Sequence, residues 1–309
     1  MNRLAIWSYL VGGAVLLLGV LTPRFRRAWS TSHGLESLIL LGPLFYVAPL
    51  AAFGTEHFTL TGPIASLVPE WIPWHHFWTY LVGAGFIAAA ISILTGILAR
   101  LSASLVALTL FLFVVLMDVP AWAREPGDRF ALTLALRQLA FSGGALALAA
   151  SFIRAERTAR VVATVARYFI GIPVLVYGIQ QFMHGDHVPA VPLNRLTPEY
   201  VPGHALWTYL TALVDVLAGS LLFAGKRTRE AATWIGLTVL LVVLTVYVPI
   251  AVADRASLSG LNYLADTLMF CGSLLLLAAV MPRKDGQAAS SATQVHRDAV
   301  ALLVTPRDS

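Results

Sequence analysis

The chain has 309 residues, of which 58% are hydrophobic and 12% charged, and its mean hydropathy is +0.77. A soluble domain carries roughly a quarter charged residues, so a water-soluble globular protein, a disordered chain and a nucleic-acid binder built on a basic patch are all excluded. The composition is that of an all-α integral membrane protein. Its net charge of +5 has to be explained by the bilayer rather than by a polyanionic partner.

Runs of about 20 apolar residues read as membrane spans. Nine are expected, at 4–22, 38–54, 75–99, 101–123, 131–152, 163–182, 204–224, 231–252 and 262–281. The first is followed by Thr22-Pro23-Arg24-Phe25-Arg26-Arg27, a basic stop that fits a retained helix better than a cleaved signal. The third and fourth spans abut at Ala99-Arg100-Leu101. The tail, 282–309, is polar and rich in Ala and Ser, and is expected to be disordered.

The positive-inside rule orients this set. With the loop after the first span in the cytoplasm, cytoplasmic segments hold 15 of the 21 Lys and Arg residues, the opposite side holds 5, and Arg137 falls within a span. The expected topology is an inner (plasma) membrane protein with its N-terminus outside and its C-terminus cytoplasmic. The lipid bilayer is then its first partner, and the basic balance reflects contact with anionic head groups.

The sequence repeats. Pro69-Glu70-Trp71-Ile72-Pro73-Trp74-His75-His76-Phe77-Trp78-Thr79-Tyr80 matches Pro198-Glu199-Tyr200-Val201-Pro202-Gly203-His204-Ala205-Leu206-Trp207-Thr208-Tyr209, 129 residues on. The interval holds to the end of the ninth span, pairing Gly96 with Gly225, Pro120 with Pro249 and Phe141 with Phe270. Upstream, Phe53-Gly54 matches Tyr177-Gly178 at an interval of 124. Segments 38–152 and 153–281 thus read as two four-helix repeats, with 1–37 an added N-terminal helix and loop. An even number of spans returns the chain to its starting side, so both repeats should face the same way about a pseudo-twofold axis.

Polar residues gather in and beside the two long outer loops: Glu56, His57, Glu70, His75 and His76 with the first, Gln181, His184, Asp186, His187, Glu199 and His204 with the second. These form the candidate polar site, which the repeat should pool on one face. Glu70 and Glu199 precede helix starts and read as caps, or as proton or ligand pairs with His75 and His204. His184-Gly185-Asp186-His187 has metal-ligand residue types but no metal-motif spacing, and no metal is assigned. Trp71, Trp74, Trp78, Trp122 and Trp207 read as an interfacial belt, or as a flat cleft for a lipophile such as a quinone.

Ionisable residues inside spans need partners. Asp118, Arg137, Asp215 and Asp266 form the expected buried charge network. Arg137 and Asp266 occupy matching positions, so Arg137 should pair with Asp266 or with Asp118. Asp215 lies near mid-membrane, and its counterpart is Phe86. Gln138, Gln180, Tyr247 and Asn262 could complete a polar core. The single cysteine, Cys271, excludes an intrachain disulfide and a dithiol relay.

The unit length, the outer Pro-rich loop and the aromatic-Gly-x-x-(His/Gln)-Phe ends at Phe53 to Phe58 and Tyr177 to Phe182 resemble the DoxX family. The chain looks like a tandem fusion of two such units over about 38–281. That family is similar to the small membrane subunit of thiosulfate:quinone oxidoreductase. The resemblance implies a role beside quinone or thiol redox chemistry and a redox partner protein. It carries over no catalytic residue. The function expected is a redox-accessory or quinone-interacting membrane protein. The alternatives are a small-solute or lipid carrier with Asp215 and Arg137 at its core, and a non-catalytic scaffold.

Overall fold

In a computed structural model of the chain, residues 6–191, 195–253 and 259–282 are described. Among these there are helices and no β-strand. Eight helices are long and apolar enough to cross a membrane, or nine when Ile6–Leu21 (α1) is joined to Pro23–Thr31 (α2), to which it is bent by 61°. Pro23 at the start of α2 fits that bend, since a proline cannot continue the preceding helix. Of the expected tail, 282–309, residues 283–309 lie outside the described residues.

The spans after α1 and α2 begin with Leu35–Leu40 (α3), which runs into Gly42–Thr59 (α4). The short α5, Thr61–Ala65, leads to α6, His75–Thr95. Next come α7 (Ala99–Phe113), a π-helical turn at Val114–Asp118 and α8 (Val119–Arg124), and then α9 (Arg129–Ser151). The second series is α10 (Glu156–Met183), α11 (His204–Ala224), α12 (Thr228–Val242), a π-helical turn at Val243–Tyr247, α13 (Val248–Ala253) and α14 (Ser259–Val280).

Helix limits recur 129 residues apart: α6 with α11, α7 with α12, the two π turns with each other, and α8 with α13. So do the residues with left-handed backbone, Trp74 with Gly203, Gly96 with Gly225 and Leu98 with Arg227. The π turns have a common cause. Pro120 and Pro249 lack an N–H and crowd the carbonyl four residues back. The ladder widens, and Val119 and Val248 donate to the carbonyls of Val114 and Val243, five residues back.

Of the boundaries that differ from the sequence reading, three matter here. The turn between the third and fourth spans is at 96–98, not 99–101, because Gly96 takes φ +83° and ends α6. The span expected at 38–54 runs to Thr59, placing Glu56 and His57 inside a helix rather than in a loop. The span expected at 163–182 is α10, 28 residues long.

The contacts cross between the two series. α4 packs on α6 and α14, α10 on α9 and α11, and α9 directly on α14. Close approach explains the first two crossings. A side chain at Gly143 of α9 would strike the Ala166 carbonyl and Ile170 of α10, and one at Gly272 of α14 would strike the Gly42 carbonyl and Tyr46 of α4. Only hydrogen fits at either place, as small residues do where membrane helices touch.

Candidate functional site

The C-terminal ends of α4 and α10 and the N-terminal ends of α1, α9 and α14 meet at one end of the bundle. There the polar side chains form four separate groups rather than one pool.

The first group lies among α1, α4, α9 and α14. Arg137 of α9 makes an ion pair with Asp266 of α14, their side chains 17% and 9% exposed. Beside it the Tyr9 hydroxyl is 2.5 Å from Glu56 Oε1 and also contacts Asn262 Oδ1. Glu56 is buried, so a residue expected on an outer loop instead belongs to the buried charge network. Asp118 sits within electrostatic reach of Arg137. Asp118 Oδ2 and Arg137 Nε have no hydrogen-bond partner among the described residues.

The second group is Gln181 with Asp215, both buried. Gln181 Nε2 donates to Asp215 Oδ2 at 2.9 Å and to the Tyr177 carbonyl at 3.2 Å, while its Oε1 accepts from the Ala190 N–H at 2.9 Å. One amide thus joins α10, α11 and the 184–203 loop. At the matching place His57 bonds the Phe53 carbonyl at 2.7 Å and packs edge-on against Phe86, ring centroids 5.7 Å apart.

The third group is the His184 loop. His187 Nδ1 donates to Asp186 Oδ1 at 2.7 Å, and the His184 and His187 rings are 5.7 Å apart. That hydrogen bond, first of all, holds the Asp186 carboxyl below the usual carboxylate range. Desolvation and then the Arg129 guanidinium push the His184 imidazole below the usual histidine range. Among the described residues no three His, Cys, Asp or Glu side chains gather as a metal site. The segment that follows packs inward, with Val188, Ala190 and Val191 fully buried.

The fourth group is a shallow recess of about 400 Å³ lined by Gly62, Ala65, Ser66, Trp74, His75 and His76. It opens where α5 lies against the start of α6. Trp74 holds φ +59° ahead of α6, a conformation disfavoured for a bulky residue.

Glu70 and Glu199 are exposed. They do not cap the helices that follow: the residues ahead of α6 and α11 are Trp74 and Gly203, with no side-chain cap. The reason is the left-handed residue, which turns the chain sharply into the helix. The His204 side chain lies outside the described residues. Sequence reasoning missed Tyr9, whose helix has no counterpart in the repeat to flag it. It also missed Glu36, whose two carboxylate oxygens accept from Arg229 Nη2 at 2.9 and 2.7 Å. Glu36 reads as an ordinary loop carboxylate.

The fold and these groups define a multi-pass helical protein suited to a lipid bilayer, with its polar chemistry concentrated at one end. Comparison with known protein families, with curated proteins and with solved structures finds no match.

Proposed function

We propose that the chain is a DoxX-like inner-membrane protein, a fusion of two four-helix repeats that face the same way, with its N-terminus outside and its C-terminus in the cytoplasm. The 129-residue recurrence of helix limits, π turns and left-handed residues supports the duplication. The paired glycine contacts of Gly143 and Gly272 support a pseudo-twofold axis between α9 and α14. The charge distribution supports the orientation.

Its function is to hold a quinone-class lipophile at the outer face for a redox partner protein. The recess formed by Trp74, His75 and His76 carries this reading. An indole face offers stacking to a flat ring, and imidazoles hydrogen-bond either oxidation state of a quinone. Trp74 keeps a strained backbone, a cost of about 1–2 kcal/mol of a kind that persists where the local shape is used. Mass spectrometry of small molecules co-purifying with the protein tests this. A quinone retained by the native chain and lost from Trp74→Ala/His75→Ala supports it; no lipophile beyond bulk lipid rejects it.

One observation favours a carrier as the second reading. Asp215 is fully buried and its Oδ1 has no partner among the described residues, as in a site awaiting a solute or proton. Liposome uptake abolished by Asp215→Asn would select that reading.

A further inference from the structure

The two repeats differ where α4 and α10 pass the C-terminal ends of α6 and α11. A helix ends on carbonyls that no intrahelical N–H reaches, and with a partial negative charge. In the second repeat one side chain answers both. Arg167 of α10 donates through Nη1 to the Leu222 carbonyl and, at 3.1 Å, to the Phe223 carbonyl, and its guanidinium lies over the Tyr168 ring, 4.3 Å from the centroid. In the first repeat the position matching Arg167, 124 residues earlier, is Pro43. The residues matching Leu222 and Phe223, 129 residues earlier, are Ile93 and Leu94. Proline brings no donor and no charge.

At that place the first repeat has a cavity of about 20 Å³. Pro43 and Val47 of α4 and Ile93 and Leu94 of α6 line it, together with Gly19 and Thr22 from the bend between α1 and α2. Ile93 is buried. Among the described residues no donor reaches its carbonyl or that of Leu94: the Gly96 N–H goes to the Ser92 carbonyl and the Ile97 N–H to Thr95 Oγ1. Buried backbone carbonyls are nearly always paired. The occupant must therefore donate, the helix end favours a positive one, and the volume admits a single group of about the size of water.

The rim says what that group is attached to. Thr22 and Leu94 are the half-buried members of the lining, so the cavity opens between them. Immediately beyond Thr22, α2 brings Arg24, Arg26 and Arg27, which make no ion pair among the described residues. No carboxylate lines the cavity, and a cation buried without a counter-charge is costly. A zwitterion carries its own counter-charge, and arginines favour a phosphate.

We infer that the first repeat binds the zwitterionic head group of an aminophospholipid. The primary ammonium occupies the cavity and donates to the Ile93 and Leu94 carbonyls, in the place that Arg167 fills in the second repeat. The phosphate lies at the mouth against Arg24. A trimethylammonium head group has no N–H and is too large for the cavity, and a glycerol head group brings no cation. The site is at the far end of α6 from His75, so it stands independently of the quinone reading.

Native mass spectrometry of the full chain, titrated in detergent with phosphatidylethanolamine, phosphatidylcholine and phosphatidylglycerol of identical acyl chains, tests this. Phosphatidylethanolamine should bind at least tenfold tighter than the other two. Pro43→Arg, which installs the second repeat's guanidinium, should abolish that preference while leaving the thermal unfolding midpoint unchanged or raised. Val47→Leu, which fills the cavity with a larger apolar side chain, should reduce the preference at least threefold and decides the matter if Pro43→Arg does not fold. Arg24→Gln should weaken phosphatidylethanolamine at least threefold. Equal affinity for the ethanolamine and choline lipids overturns the inference, since a water then pairs the carbonyls. Phosphatidylglycerol binding as tightly as phosphatidylethanolamine also overturns it, since the α2 arginines then hold a phosphate and nothing enters the cavity. So does a preference unchanged in Val47→Leu and in folded Pro43→Arg.

Discussion

Replacing Asp266 by Asn should destabilise the protein by about 3–5 kcal/mol, the cost of leaving one member of a buried ion pair alone. The size follows from the surroundings. The two side chains are 17% and 9% exposed, and unit charges in ion-pair contact attract by about 4 kcal/mol at an effective dielectric near 20. Arg137 Nε has no partner to fall back on among the described residues. The exchange Arg137→Asp/Asp266→Arg is the sharper test. If the two positions are equivalent across an axis between α9 and α14, the reversed pair should recover most of the loss. Recovery should be incomplete, because a carboxylate at 137 would face Asp118, which lies within electrostatic reach of that position, and like charges repel. Adding Asp118→Asn should restore the remainder. Reversible unfolding by SDS titration in mixed micelles, followed by circular dichroism, measures each variant. An exchanged pair no more stable than Asp266→Asn would refute the equivalence.

Three further outcomes are expected. Arg229→Ala should cost about 1.5–3 kcal/mol, the worth of charge-assisted hydrogen bonds, since it removes the Nη2 contacts to Glu36 and a 2.7 Å bond to the Ala278 carbonyl, while Glu36, 38% exposed, regains water. Its repeat counterpart Arg100 is exposed, so Arg100→Ala should stay within about 0.5 kcal/mol of native; equal losses in the same titration would contradict the contrast. Trp74→Gly should raise stability by about 1–2 kcal/mol, because glycine adopts left-handed backbone without the side-chain clash, while weakening lipophile retention; a loss of stability would remove the strain argument. In Asp186→Asn the His184 midpoint, followed by NMR, should fall further, since the lost negative charge had favoured the imidazolium. Arg129→Gln should raise it, and movement in the opposite sense in either variant would disprove the assignment.

The spans were legible because runs of about 20 apolar residues admit no other reading. Their ends were not, because single backbone conformations decide them. Gly96 ends α6 three residues before hydropathy changes. Thr55, Glu56 and His57 look like loop, yet they continue α4 because Glu56 finds Tyr9 inside the bundle. Arg137 and Asp266 could be linked from sequence, since their spacing equals the repeat interval. Gln181 with Asp215 could not, because the repeat partners of that pair, His57 and Phe86, carry no matching polar signal. The buried stretch Val188–Val191 was unreadable for a different reason. Four small residues between turn-forming ones are indistinguishable from a surface loop until something shows what they fill.

The proposed layout also explains why two copies in one chain do what two identical subunits cannot. Residues facing each other across a twofold axis are the same residue in a homodimer. Arginine would then meet arginine, and aspartate would meet aspartate. Only after fusion can position 137 become Arg while position 266 becomes Asp, giving a neutral pair where α9 and α14 pack. The same freedom lets Tyr247 bond the chain's own loop while the matching position, Asp118, holds a carboxylate near Arg137. Divergence between the copies is therefore the informative signal. Where the repeats agree, as at Pro120 and Pro249 or Gly143 and Gly272, they specify the scaffold. Where they disagree in charge or ring size at a buried position, they mark the places at which the scaffold has been put to use.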